Sequence, residues 1–153
     1  MTRIGLISDT HGLMRPEALV ALAGVSHIVH AGDIGSEQIL SQLQAIAPVT
    51  AVRGNNDKEP WARSIAETEV LEIAGKRIYV LHDLKELDLE PAAAGFAVVV
   101  AGHSHKPAVI RKGDVLYVNP GSAGPRRFNL PISVGLLEID GGEVRAEIRE
   151  LTL

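Results

Sequence analysis

The stretch Ile4-Gly5-Leu6-Ile7-Ser8-Asp9-Thr10-His11-Gly12 decides the fold. Its first four residues read as a buried strand, and the polar Ser-Asp-Thr-His-Gly that follows breaks off with groups able to bind metal. The same transition recurs at Gly32-Asp33, Gly54-Asn55, His82-Asp83 and Gly102-His103-Ser104-His105, each directly behind a short apolar run. Helical patterns separate the first of these breaks: Arg15 to Ala23, with Pro16 tolerated in the first turn, and Ser36 to about Ala47. Strands at 3–7, Ile28 to Ala31 and Pro48 to Val52 alternate with them, which predicts a parallel βαβαβ unit with right-handed crossovers. Ligands bind at the carboxyl ends of strands in such a unit, and Asp9, Asp33 and Asn55 fall there.

The second half changes character. Thr68 to Ile73 and Lys76 to Leu81 flank Ala74-Gly75, a connection short enough for a hairpin. A short helix is expected near Pro91 to Ala94. Strands are expected at Phe96 to Ala101, Ala108 to Arg111, Val115 to Val118, Ile132 to Ile139 and Val144 to Glu150, with turns at Gly113-Asp114 and Gly141-Gly142. So many short strands exceed one sheet, so the fold class is α/β (α+β): two packed mixed sheets flanked by helices. No repeat, low-complexity tract or linker divides the chain, and residues 1–153 are expected to form a single domain. The loop Asn55 to Ala66, with the only tryptophan, Trp61, reads as the least structured stretch.

Composition narrows the chemistry. Apolar residues make up 46% but aromatic ones only 3%, which suits a core of short branched side chains. With no cysteine, disulfides and thiolate metal sites are excluded, so any metal falls to His, Asp, Glu or Asn. A net charge of −4 argues against general nucleic-acid binding. The apolar runs are too short for a membrane span, and the first residues lack the pattern of a signal peptide, so a cytoplasmic protein is expected. Neither a phosphate-binding loop, a dinucleotide fingerprint nor a Ser-His-Asp arrangement follows from the spacings.

Asp9 and His11 lie two residues apart, as do His103 and His105, and in extended backbone such pairs point the same way. The glycines before Asp33 and Asn55 clear room where backbone must crowd a ligand. Asp, His, Asp, Asn, His, His and His at successive strand ends are hard to explain as turn chemistry. In this order and spacing the sequence resembles the calcineurin-like metallophosphoesterase family, whose motif reads D-x-H, G-D, G-N-x-D/E, H and G-H-x-H. Its short length and Asn119-Pro120-Gly121-Ser122 behind the last motif make it similar to the small bacterial and archaeal phosphodiesterase branch. A retromer subunit shares that branch's fold.

The resemblance implies a four-layer sandwich and two divalent ions. It assigns Asp9, His11, Asp33 and His105 to one ion and Asp33, Asn55, His82 and His103 to the other, with Asp33 as the bridge. Two carboxylates against two divalent cations leave about two positive charges for a phosphate and a hydroxide. Imidazole-rich ligation disfavours Mg²⁺ and Ca²⁺ and suits Mn²⁺, the expected ion, or Fe, Zn²⁺, Ni²⁺ or Co²⁺. The implied reaction is phosphodiester hydrolysis by a hydroxide that bridges the ions, on a small-molecule ester. Phosphomonoesters and nucleotides stay open as substrates, a homo-oligomer stays open as the assembly, and the alternative from another class is a protein-binding scaffold on the same fold.

Two positions depart from the motif. Where many members carry an acidic His after G-N, this chain has Asn56, whose amide can bond a phosphate oxygen but cannot protonate a leaving group. Asp57 matches the following acid, with either a loop-capping role or one behind the catalytic groups. Asp83 follows His82 where His-Gly is common, and either orients a ligand histidine or starts a turn. Arg126 and Arg127 are candidates to clamp an ester arm, against a solvated alternative. His30 reads as buried or behind the ligands, and His27 as surface.

Overall fold

A computed structural model describes residues 1–153, in which ten strands form two five-stranded mixed sheets. The first holds β1 (Thr2–Ile7), β2 (His27–His30), β3 (Val49–Ala51), β9 (Ser133–Asp140) and β10 (Glu143–Glu150), in the order β10-β9-β1-β2-β3. The second holds β4 (Thr68–Ile73), β5 (Lys76–Leu81), β6 (Phe96–Val100), β7 (Ala108–Lys112) and β8 (Val115–Asn119), in the order β4-β5-β6-β8-β7. Each sheet contains three adjacent parallel strands, β1-β2-β3 in one and β5-β6-β8 in the other. The remaining strands pair antiparallel: β4-β5, β7-β8 and β9-β10 through the expected turns at Ala74-Gly75, Gly113-Asp114 and Gly141-Gly142, and β9 with β1 across the sheet.

The inner faces of the two sheets meet in a layer of 13 buried residues, among them Ile4, Leu6, Val29, Ile78, Val100 and Leu137. No aromatic ring enters this layer, as the composition foretold. Each fully buried Ile or Leu contributes about 1.5–3 kcal/mol. Helices α1 (Pro16–Ala21) and α2 (Glu37–Gln44) cover the outer face of the first sheet through Leu22, Ile28, Ile39 and Leu43. Both are shorter than the periodicity suggests, because Gly24 (φ +83°) turns the chain after α1 and Pro48 bars extension of α2. Neither is long and apolar enough to cross a membrane.

The outer face of the second sheet is covered differently. Residues 84–95 pack Leu87, Leu89 and Ala94 on Tyr79, Leu81 and Phe96. This segment holds a 3₁₀ turn, Leu84–Glu86, and the helix expected at Pro91 to Ala94 is only a hydrogen-bonded turn, ended by Gly95 (φ +82°). The stretch Asn55 to Ala66 is more ordered than expected: Pro60–Ser64 form a 3₁₀ helix, and Trp61 packs on the helical layer.

Candidate metal centre

Strand pairing between β1 and β2 ends at Ile7 and His30, and there the chain must turn at once. Asp9 N–H donates to Gly32 O (3.0 Å) and His11 N–H to Asp33 O (2.9 Å), which stitches the two turns together. Seven non-glycine residues have positive φ, and five of them are Asp9, His11, Asp33, His103 and His105. Left-handed backbone at such residues costs on the order of 1–3 kcal/mol each and persists where surrounding structure imposes it. The extended geometry expected for Asp9-Thr10-His11 and His103-Ser104-His105 is therefore absent. The pairs converge through tight turns, since no neighbouring strand remains to hold them extended. Two glycines are fixed by the same crowding: a Cβ on Gly54 would collide with the Asp33 carboxylate, and one on Gly102 with Ser8 Oγ and the Asp9 carboxylate.

The strand ends of both sheets meet at Asp9, which is fully buried. Its Oδ2 accepts from Ser8 Oγ (2.7 Å) and His103 N (3.1 Å), whereas its Oδ1 has no hydrogen-bond partner. Around Oδ1 stand His105 Nε2 at 3.4 Å, His11 Nε2 at 3.8 Å and His82 Nε2 at 3.8 Å. These exceed a hydrogen bond and approach the roughly 3.0–3.4 Å between two ligands of one ion held at about 2.1 Å. His11 Nε2 and His105 Nδ1 are likewise buried without partners. Asp33 Oδ2 lies 3.2 Å from His82 Nε2 and 3.7 Å from His11 Nε2, and His82 Nε2 lies 3.3 Å from His103 Nδ1. Two groups thus have the geometry to hold a metal ion, Asp9-His11-His105 and Asp9-Asp33-His82. Asn55 and His103 line the polar pocket beside His82.

Charge and tautomer are set by the neighbours. Burial alone would lower His82, but Asp33, Asp9 and the Ala31 carbonyl lift it to about 9. Its Nδ1–H donates to Ala31 O (2.7 Å), which leaves Nε2 facing the carboxylates as a ligand histidine requires. Burial would raise Asp33, yet His82 and the amides of Asn56 hold it far below the usual carboxylate range. Asp9 is also kept low, by His105, the Ser8 hydroxyl and His82 working against its burial.

Around the cluster stands a frame of polar residues. The buried Asp57 carboxylate accepts from Ile34 N (3.1 Å), Gly35 N (3.1 Å) and Gly54 N (2.9 Å), bracing the Asp33 turn against the Asn55 turn. Asn56 N and Nδ2 both donate to Asp33, at 2.9 and 3.1 Å. His30 is fully buried: Gly32 N donates to its Nδ1, so Nε2 carries the proton and donates to Thr10 Oγ1 (2.9 Å). Burial holds this ring neutral, with a pKa near about 4. Asn119 donates to Gly102 O and Ser104 Oγ and so fixes the His103–His105 turn, while Ser122 Oγ donates to Asp9 O. Asp83 takes the turn-starting part, accepting from Lys85 N (3.1 Å) at the head of the 3₁₀ turn, and its Oδ2 lies 3.7 Å from His103 Nε2, beyond a hydrogen bond.

Arg126 and Arg127 lie exposed on a loop where Arg126 donates to Leu130 O, and neither lines the pocket holding His82 and His103. His27 is half-buried and bonded to Thr50 Oγ1 (2.8 Å), where a surface position was expected, because it opens β2 beside Ile4 with Thr50 of β3 within reach. Sequence reasoning missed Ser8, although it bonds the neighbouring Asp9, and missed that Asp57 reaches Ile34 and Gly35 on another turn.

The calcineurin-like phosphoesterase superfamily domain matches residues 2–142. The chain is 36% identical over 157 aligned positions to a probable metallophosphoesterase of Methanothermobacter thermautotrophicus, covering 95% of this chain and 90% of that one. It is 28% identical to a phosphodiesterase of Methanocaldococcus jannaschii, covering 97% and 99%. Among solved structures, Vps29 of Chaetomium thermophilum superposes with a TM-score of 0.79 over 99% of this chain and 97% of that one. At 20% identity that likeness concerns the fold alone.

Proposed function

This chain belongs to the calcineurin-like phosphoesterase superfamily, and from that premise we propose that its 153 residues form one domain that hydrolyses phosphodiesters with two divalent ions, Mn²⁺ first among them. The observation that carries the reading is Asp9 Oδ1, buried without a hydrogen-bond partner among three imidazole nitrogens at 3.4–3.8 Å. A buried carboxylate oxygen left bare costs several kcal/mol unless a cation completes it. Asp9, His11, Asp33 and His105 would hold one ion, and Asp33, Asn55, His82 and His103 the other. Bound there, the pair would lower the pKa of a water and neutralise the phosphoryl oxygens.

The protein's own groups do the rest. Asp9 is aimed by Ser8, and the Asp33 carboxylate is held by Asn56. His82 is fixed as the Nε2 ligand by its bond to Ala31. Asn56 has no proton to give near neutral pH, so leaving groups that depart as stable anions are favoured. Hydrolysis of bis(p-nitrophenyl) phosphate in Mn²⁺ tests the proposal, with p-nitrophenyl phosphate as the monoester control. Turnover of the diester that is faster than the monoester and lost in Asp33→Ala supports it. Metal uptake with no turnover of either ester would contradict it.

A further inference from the structure

A groove of about 570 Å³ opens beside the cluster, where residues 84–95 only partly cover the second sheet: Val99 and Ala101 are its buried floor, and Tyr117, Ala108 and Ile110 its open side. Val99, Tyr117 and Ile110 form one cross-strand row over β6, β8 and β7. Ala101 and Ala108 continue the surface toward the strand ends, and Leu84 closes it from the 3₁₀ turn. Ile110 is 50% and Leu84 41% exposed, large apolar side chains with nothing packed over them.

The groove is continuous with the cluster. His103 and Asp83 line both it and the polar pocket that holds Asn55 and His82, and the His103 side chain is 44% exposed between the two. The two sides differ in charge. In the polar pocket Arg53 is paired to Glu67, which leaves Glu86 and Asp88 to repel an anion, whereas the groove carries Lys85 and Lys106; Asp83 borders both. An anionic ester bound at the cluster therefore has one approach that is both apolar and basic. We propose that this groove is the subsite for an aromatic arm of the phosphodiester, an inference that rests on the function proposed above. Tyr117, over whose ring Lys112 Nζ lies at 5.1 Å, offers an aromatic side chain beside the arm, and Lys106 offers a charge to the ester's anion.

The direct probe is a pair of phosphonates with no ester bond to cleave. Calorimetry would compare 1-naphthylmethylphosphonate with methylphosphonate on the Mn²⁺-loaded protein. Burying most of a naphthyl ring is expected to give at least about tenfold tighter binding. Ala108→Phe, which fills the groove from the edge strand β7, should bring the ratio to within about threefold, and Ile110→Ser should lower it less. Both lie on the edge strand, Ile110 exposed and Ala108 partly buried, and Mn²⁺ affinity and thermal unfolding of each variant confirm that the fold and the cluster survive the substitution. A wild-type ratio near one, a ratio that survives Ala108→Phe, or self-association through this face that Ala108→Phe removes would each overturn the proposal. Turnover of bis(p-nitrophenyl) phosphate, followed in parallel, separates the two readings. Preference without turnover faults hydrolysis and keeps the groove; turnover without preference faults the groove alone.

Discussion

Asp33 joins the two halves of the site, because it faces His82 and His11 while both its oxygens accept from Asn56. Asp33→Ala should reduce Mn²⁺-dependent turnover by about a hundredfold or more, since even residues behind metal ligands are worth 10–100-fold. Asn56 separates two kinds of chemistry. Asn56→His restores a proton donor at that position, so the rate on an alkyl phosphodiester should rise by about 10²-fold or more, with little change on an aryl diester. An unchanged alkyl rate would show that the proton comes from elsewhere. Asp57 answers to folding: its loss strips three buried amides of their acceptor, so Asp57→Ala should cost about 2–4 kcal/mol in denaturant unfolding. At this scale the sequence showed which side chains the fold brings together, because Asp, His and Asn recur directly behind short apolar runs. It did not show how Asp57 works, since two of its three donors lie on a turn more than twenty residues away.

Among the elements, the parallel strands β1, β2 and β3 were readable from their short apolar runs and the helical patterns between them. That β5, β6 and β8 also run parallel was not, because the hairpin signals of the second half pointed to antiparallel pairing; the site stands at the carboxyl ends of both sets. The connections were not. The turns at Asp9, His11, Asp33, His103 and His105 adopt left-handed backbone, which Asp and His tolerate better than most side chains but do not by themselves dictate, and contacts between turns impose it. Likewise Pro91 to Ala94 has helical composition but is too short to repay nucleation. The junction glycines give the test at this scale. Gly54→Ala and Gly102→Ala should fold less stably and lose metal affinity together, because the added Cβ meets the carboxylate of Asp33 in one and of Asp9 in the other. Gly141→Ala, whose Cβ would meet nothing, has no such effect on the metal.

For the molecule as a whole, two histidines give the metal-free protein opposite pH limbs. His30 is pushed down to about 4, so the unfolded chain takes up its proton first and stability falls as pH drops from 6.5 towards 4. A shift of that size corresponds to roughly 3 kcal/mol. His82 is lifted to about 9, so its contribution is complete below 6.5 and disappears as pH rises to 9. Thermal unfolding of the metal-free protein should therefore peak near pH 6.5, and His30→Gln should flatten the acid limb only. Bound ions replace the proton on His82, so saturation with metal should remove the alkaline limb.

Metal stoichiometry tests the two-ion centre most directly. Stripped protein titrated with Mn²⁺ should bind two equivalents per chain, with diester hydrolysis rising until the second is bound. A chain that saturates at one equivalent, or that fills both sites and hydrolyses no ester, contradicts it.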